Sequence, residues 1–148
     1  MSIKSQENNM RRLSELLSHD LSYIHGDKES GPNGDKKTFL HLGNVFLHAL
    51  AKDLGLHNAK VMSNAAGIGT SGECCLTGMW ETGGIHICLS QFASGNNVLL
   101  YRSIRTAKDH KGGCNHFLSL RDFSEMSYPE LQKGLLALRK DIPYERAA

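Results

Sequence analysis

The side chains best equipped for chemistry are gathered between Val98 and Phe123, in VLLYRSIRTAKDHKGGCNHFLSLRDF. Arg102, Arg105, Lys108, His110 and Lys111 supply positive charge, and Cys114 and His116 come after a Gly112-Gly113 break. Guanidinium and ammonium groups beside glycine amides are the donors that recognise phosphate, a nucleic-acid backbone or an acidic protein surface. Between residues 101 and 117 the aromatics are Tyr101 and Phe117 alone, too few for a platform that stacks single-stranded bases.

Cysteine and histidine in this stretch raise two further chemistries. The Cys114 thiol could act as a nucleophile with His86, His110 or His116 as its base, because nearby Lys111 and a protonated imidazole would favour the thiolate. No family-specific pattern surrounds it. Alternatively, His86-x-Cys88 and Cys114-x-His116 are pairs at strand spacing, so each pair lies on one side of its strand. On neighbouring strands the four would make a Cys2His2 zinc site, although their spacing matches no common zinc module.

Other motifs carry less. Gly67-Ile68-Gly69-Thr70-Ser71-Gly72 matches G-x-G-x-x-G, but the next residues, Glu73-Cys74-Cys75-Leu76-Thr77, read as strand. Without a helix start there is no fan of free amides to hold a pyrophosphate. Glu73 and Glu81 flank one strand with nothing to bring their carboxylates together. His41, Asn44, His48 and Lys52 share a helix face, yet His41 and His48 stand roughly 10 Å apart along the axis, too far for one ion.

Elements must position these groups. Met10, Leu13, Leu17, Leu21 and Ile24 recur in steps of three and four, which predicts a first amphipathic helix over 7–24. Residues 26–36, GDKESGPNGDK, read as an exposed loop. Asp35 or Thr38 then caps a second helix that ends near Leu54-Gly55 and buries Phe39, Leu42, Phe46, Ala49 and Leu50. From Ala59 the pattern becomes short β-compatible runs: 59–65, 73–80, 85–91, 98–106 and 116–120. Glu81-Thr82-Gly83-Gly84 and the segment 93–97 suit hairpin connections. Ser127-Tyr128-Pro129-Glu130 is a capping box that opens a last helix, with Leu131, Leu135, Leu138 and Ile142 on one face and Pro143 at its end.

The chain has 148 residues, 40% hydrophobic and 22% charged, which predicts one domain with a real core and argues against disorder. No apolar leader or membrane-length run is present, so a cytoplasmic setting without membrane contact is expected. The four cysteines (Cys74, Cys75, Cys88, Cys114) lack the density of a disulfide scaffold and are expected as reduced thiols, with Cys74 and Cys75 on opposite faces of a strand. Net charge is +2, and residues 98–123 carry five basic against two acidic groups while the rest of the chain is balanced to within one charge.

The expected fold is α+β: two N-terminal helices, an antiparallel sheet of four to five strands, and a C-terminal helix on one face of it. The expected function is a small non-enzymatic binding protein, without cofactor, that engages another protein or an anionic macromolecule through a basic hairpin at 102–116. An inhibitor of a nucleic-acid-processing enzyme is one specific version. The alternatives are a Cys/His-dependent enzyme centred on Cys114, and a zinc-stabilised domain using His86, Cys88, Cys114 and His116.

Overall fold

A computed structural model describes residues 2–22, 32–65, 70–92, 95–106 and 113–140. Its elements run α1 (Ile3–Leu17), α2 (Pro32–Asp53), β1 (His57–Asn64), β2 (Glu73–Trp80), β3 (Gly83–Ser90), β4 (Asn97–Ile104), β5 (His116–Ser119), α3 (Leu120–Glu125), α4 (Tyr128–Leu136) and a 3-10 turn (Ala137–Lys140). The strands form one antiparallel meander in the order β1-β2-β3-β4-β5. The fold is therefore the α+β class expected from the sequence.

Strand alternation decides which side the helices take. On β2, Cys74, Leu76 and Trp80 are buried while Cys75, Thr77 and Met79 between them are half-exposed. On β3, Ile85, Ile87 and Leu89 join the same core, and on β4 Leu99 does. Against this face lie Leu13, Leu16 and Leu17 of α1, Phe39, Phe46 and Leu50 of α2, Phe123 of α3, and Leu131 and Leu135 of α4. Burying a side chain of this size stabilises by about 1.5–3 kcal/mol, so the two-layer packing dominates the fold.

Polar contacts lock the helices to one another. Phe46 meets Phe123 and Tyr128 edge-on at centroid distances of 6.3 and 6.1 Å. The Tyr128 hydroxyl donates to Asp53 at 2.6 Å, and its backbone amide donates to the Glu7 carboxylate at 2.9 Å. One residue of α4 is thereby tied to α1 and α2. Burial, and then the bond to Asp53, push the Tyr128 hydroxyl pKa well above the ordinary tyrosine range. Gln6, also buried, donates to the Phe46 carbonyl at 3.1 Å.

Helix ends obey local chemistry. Gly55 (φ 70°) ends α2 with its amide on the Lys52 carbonyl and the Leu56 amide on the Ala51 carbonyl, a Schellman motif. Trp80 Nε1 then donates to the Leu54 carbonyl at 2.8 Å, joining β2 to that helix end. Leu56 packs where a Cβ at Gly78 would stand, 2.9 Å away, which explains a glycine inside β2.

Several boundaries differ from the sequence reading. Helix α1 starts earlier, on an N-cap at Ser2, and stops at Leu17 rather than 24. Leu21 is still buried, but through an Asx turn in which the Ser22 amide and hydroxyl bond to Asp20, holding that carboxyl below its usual range. The predicted exposed loop over 26–36 is corrected at its end. Helix α2 begins at Pro32, ahead of both expected caps, because proline suits a first helical turn. Lys36, within that span, is buried and donates to the Thr70 carbonyl at 2.7 Å. Asp35 sits in the first turn and pairs with His19 at 2.8 Å. Helix α3 has no counterpart among the expected elements: Ser119 ends β5 and accepts from the Asp122 amide as an N-cap. The α-helical part of α4 stops at Leu136, with Leu138 buried in the 3-10 turn. Ile24, Ile142 and Pro143 lie outside the described residues.

Two expectations test this framework. A Cβ at Gly84 would collide with the Gly78 carbonyl oxygen across the β2–β3 pair, and that atom is backbone. Gly84→Ala should therefore cost about 3 kcal/mol in a denaturant titration, at the upper end for overpacking. The capping-box carboxylate of Glu130 is held below its usual range by the Ser127 amide and hydroxyl. Its contribution is present above the unfolded value of 4.5 and lost as pH falls through the lower folded value. The Tm gap between wild type and Glu130→Ala should be full at neutral pH and close in acid.

Candidate functional site

The face of the sheet away from the helices is built by the β2–β3 hairpin. Its tight turn at Glu81-Thr82 pairs Trp80 with Gly83, and the register then sets Thr77 opposite His86 and Cys75 opposite Cys88. All four side chains alternate with core residues and so project from the face that no described helix covers, called the uncovered face below.

The sulfurs of Cys75 and Cys88 are at bonding distance, forming a cross-strand disulfide with Cα atoms 4.3 Å apart. This corrects the expectation of four reduced thiols. Cross-strand partners come this close at non-hydrogen-bonded positions of an antiparallel pair, so the disulfide arises from register and not from cysteine density. The adjacent thiol behaves as expected: Cys74 points into the core against α2, where a Cβ at Gly43 would stand 2.6 Å from its sulfur. Burial pushes its pKa up to about 11, a bond with Ser63 acting in the opposite sense.

His86 completes a compact group. Its Nε2 is 3.3 Å from the Cys88 sulfur and its Nδ1 is 2.9 Å from the Thr77 hydroxyl oxygen. One donor atom from each of Cys75, His86 and Cys88 lies within 4.8 Å of the others. Among the described residues this is the group of cysteine, histidine or acidic side chains that could converge on a metal ion.

The four-residue set inferred from the sequence does not converge. His116 pairs with Tyr101, which pairs with Ile87, and therefore stands on the helix side of the sheet. Its ring stacks on Tyr101 at a centroid distance of 5.1 Å. Cys114 is exposed ahead of β5, and among the described residues no histidine nitrogen is hydrogen-bonded to it. Only His86 and Cys88 of that set come together, and the ligand the sequence reading missed is Cys75.

Of the basic residues, Arg102 is half-buried opposite His86. Its guanidinium donates to the Gly113 carbonyl at 2.9 Å and to Asn115 at 3.1 Å, closing the end of the β4–β5 connection onto β4. Its Nε is buried and has no hydrogen-bond acceptor among the described residues. A Cβ at Gly113 would meet the Ser103 carbonyl oxygen, so only glycine allows this close return. Arg105 is exposed just past β4. Lys108, His110 and Lys111 lie outside the described residues, as do Gly67, Ile68 and Gly69 of the glycine motif. That motif leads into strand β2, in keeping with its poor match to a nucleotide-binding turn. His41 and His48 are exposed on α2.

The same face carries an apolar row. Register aligns Met62, Cys75, Cys88, Leu100 and Phe117 across all five strands. Met62 is 69% and Phe117 45% exposed, and Phe92 meets the Phe117 ring edge-on at 5.9 Å. Elsewhere, a hollow of about 460 Å³ between the end of α1, β3 and β4 is lined by Leu17, Ser18, Gln91, Phe92, Asn96, Asn97, Val98 and Leu120. None of these is an acid or a base, so it has no catalytic machinery of its own. Among the described residues no helix is long and apolar enough to cross a membrane.

Thiol labelling checks the cysteine assignment. An alkylating agent on the folded, unreduced protein should modify Cys114 alone, and after denaturation without reductant Cys74 as well. Cys75 and Cys88 should label only after reduction. Compared with known proteins, the chain matches no family model, no curated sequence and no solved structure.

Proposed function

We propose that this chain is a non-enzymatic binding protein that takes an acidic protein partner on its uncovered sheet face and on the basic segment between β4 and β5. The observation that carries the reading is one-sided packing. The helices named above bury one face of the sheet, while Met62 and Phe117 stand exposed at the two ends of an apolar row on the other.

An apolar centre with a polar, charged rim is the usual anatomy of a protein interface. Here the rim includes Lys60, two residues from Met62 and on the same face of β1, together with Arg102 and Arg105. Lys108 and Lys111 extend it in sequence. Such a rim favours a partner carrying carboxylates and discourages a second copy bearing the same charge. Nucleic acid is the poorer occupant, since phosphates gain nothing from Met62, Leu100 and Phe117. The inhibitor version narrows accordingly. An enzyme's nucleic-acid groove is itself basic, so a basic segment would have to seat outside it.

The test is affinity capture with four proteins. Wild type should retain a partner whose identified sequence is acidic, with retention falling as salt rises. Met62→Asp/Phe117→Asp and Lys108→Glu/Lys111→Glu should each weaken retention at least about tenfold with unchanged circular dichroism, as removal of an interface anchor does. Lys52→Glu, on an exposed face of α2, should change nothing. Retention indifferent to both double substitutions, retention abolished by nuclease, or a homodimer dissociated by Met62→Asp/Phe117→Asp would each overturn the reading.

A further inference from the structure

We infer that Cys75, His86 and Cys88 form, once their disulfide is reduced, a binding site for a thiophilic divalent cation of the zinc class. This goes beyond partner binding and stands independently of it.

The donor chemistry selects the cation. Two thiolates and an imidazole suit zinc, whereas calcium and magnesium require oxygen. Tetrahedral geometry with ordinary zinc–sulfur and zinc–nitrogen bonds places the ligand atoms about 3.5–3.8 Å apart. Nε2 of His86 is already 3.3 Å from the Cys88 sulfur. The remaining adjustment is the separation of the two sulfurs from bonding to non-bonded contact, and reduction of the disulfide supplies that separation by itself. Strand pairing fixes all three Cα positions, so the donors are held together without a metal to gather them.

The surroundings support a ligating imidazole. With Nδ1 protonated and donating to the Thr77 hydroxyl oxygen, the lone pair resides on Nε2, the nitrogen turned toward the sulfur. Metal-bound histidines are commonly oriented by a partner of this kind on the other ring nitrogen. Two thiolates also neutralise a divalent cation, so the bound site has no net charge. Three protein ligands leave a fourth coordination position for water or another donor.

The chemistry balances with a dithiol reductant. Two electrons and two protons pass from the reductant to the Cys75–Cys88 disulfide, giving two thiols and the oxidised, cyclised reductant. The cation then displaces the two thiol protons and keeps its own oxidation state. A small-molecule disulfide reverses the process: it takes two electrons from the thiolates and two protons from water, leaves as two thiols, and the Cys75–Cys88 bond that forms releases the cation. The site is thereby gated by the redox state of two residues.

The experiment uses the full chain, reduced with excess dithiol, freed of reductant under anaerobic conditions and titrated with Co²⁺ and then Zn²⁺. One Co²⁺ per chain should appear with thiolate-to-cobalt charge-transfer absorption, be displaced by Zn²⁺, and leave one zinc per chain by elemental analysis. The disulfide form should bind none. Cys75→Ser, Cys88→Ser and His86→Ala should lose the thiolate spectrum or stoichiometric binding, while Cys74→Ser and Cys114→Ser retain both. Thr77→Val should weaken affinity about 10–100-fold, as loss of an orienting partner does. Should a cysteine variant fail to fold, His86→Ala and Thr77→Val, half-exposed positions on the open face, carry the same comparison. A disulfide that resists reduction in the folded protein, a reduced protein that takes up no stoichiometric cation, or uptake unchanged in His86→Ala would overturn the assignment.

Discussion

The register of the β2–β3 hairpin is the constraint on which the rest of the molecule depends. Because side chains alternate, one choice of pairing sends Leu76, Ile85, Ile87 and Leu89 toward the helices and Cys75, Thr77, His86 and Cys88 away from them. A slip of one residue on either strand would bring polar groups to the core and leucines to water, a change no local contact could offset. Gly78 and Gly84 enforce the choice. Each occupies a place where a Cβ would collide, with Leu56 in one case and with the neighbouring strand's backbone in the other. Core formation and the placement of the cysteine–histidine group are two consequences of a single pairing.

The helices reinforce this arrangement through a few long-range polar bonds. Tyr128 is the clearest, since it is separated from Glu7 by 121 residues and from Asp53 by 75 yet bonds both. Buried polar groups must find partners, and these partners exist only when α1, α2 and α4 stack in one order. Gln91 makes a comparable tie at the far end of the sheet, donating to the Leu17 carbonyl at the end of α1 and to the His19 carbonyl just beyond it. Apolar burial supplies most of the stabilisation, and the tyrosine and glutamine contacts specify which packing is reached.

Much of the fold was legible in the sequence because it rests on local patterns. The β2 limits, the Ser127 capping box and the Gly55 stop are signals carried by a few consecutive residues. Helix α3 had such a signal as well, in Ser119-Leu120-Arg121-Asp122, but the apolar run of β5 masked it. The start of α2 was hidden because Pro-Asn-Gly-Asp favours turns as strongly as it permits a helix start. The site was less legible, since it depends on pairing between strands. Taking all of Glu81 to Gly84 as the connection obscured the register. A two-residue turn at Glu81-Thr82 reflects Cys75 onto Cys88 and Thr77 onto His86. The zinc alternative required His116 on the same face as His86, and that condition could not be read for the same reason: its side is set by pairing through β4, which no property of Cys114-Asn115-His116 encodes.

The two proposals meet at the centre of the uncovered face, and electrostatics shows why they are compatible there. Cys75 and Cys88 sit in the middle of the row that begins at Met62 and ends at Phe117. A pair of free thiolates would put two negative charges among apolar neighbours, at a considerable desolvation cost. A disulfide is neutral, and so is a divalent cation bound by two thiolates and an imidazole. Either state leaves the row able to meet an apolar partner surface. They differ in what they expose: the disulfide presents two inert sulfurs, whereas a three-ligand cation presents an open coordination position that a partner's side chain could occupy. On these proposals the redox state of one cysteine pair would alter the character of the contact surface without altering the strand pairing beneath it.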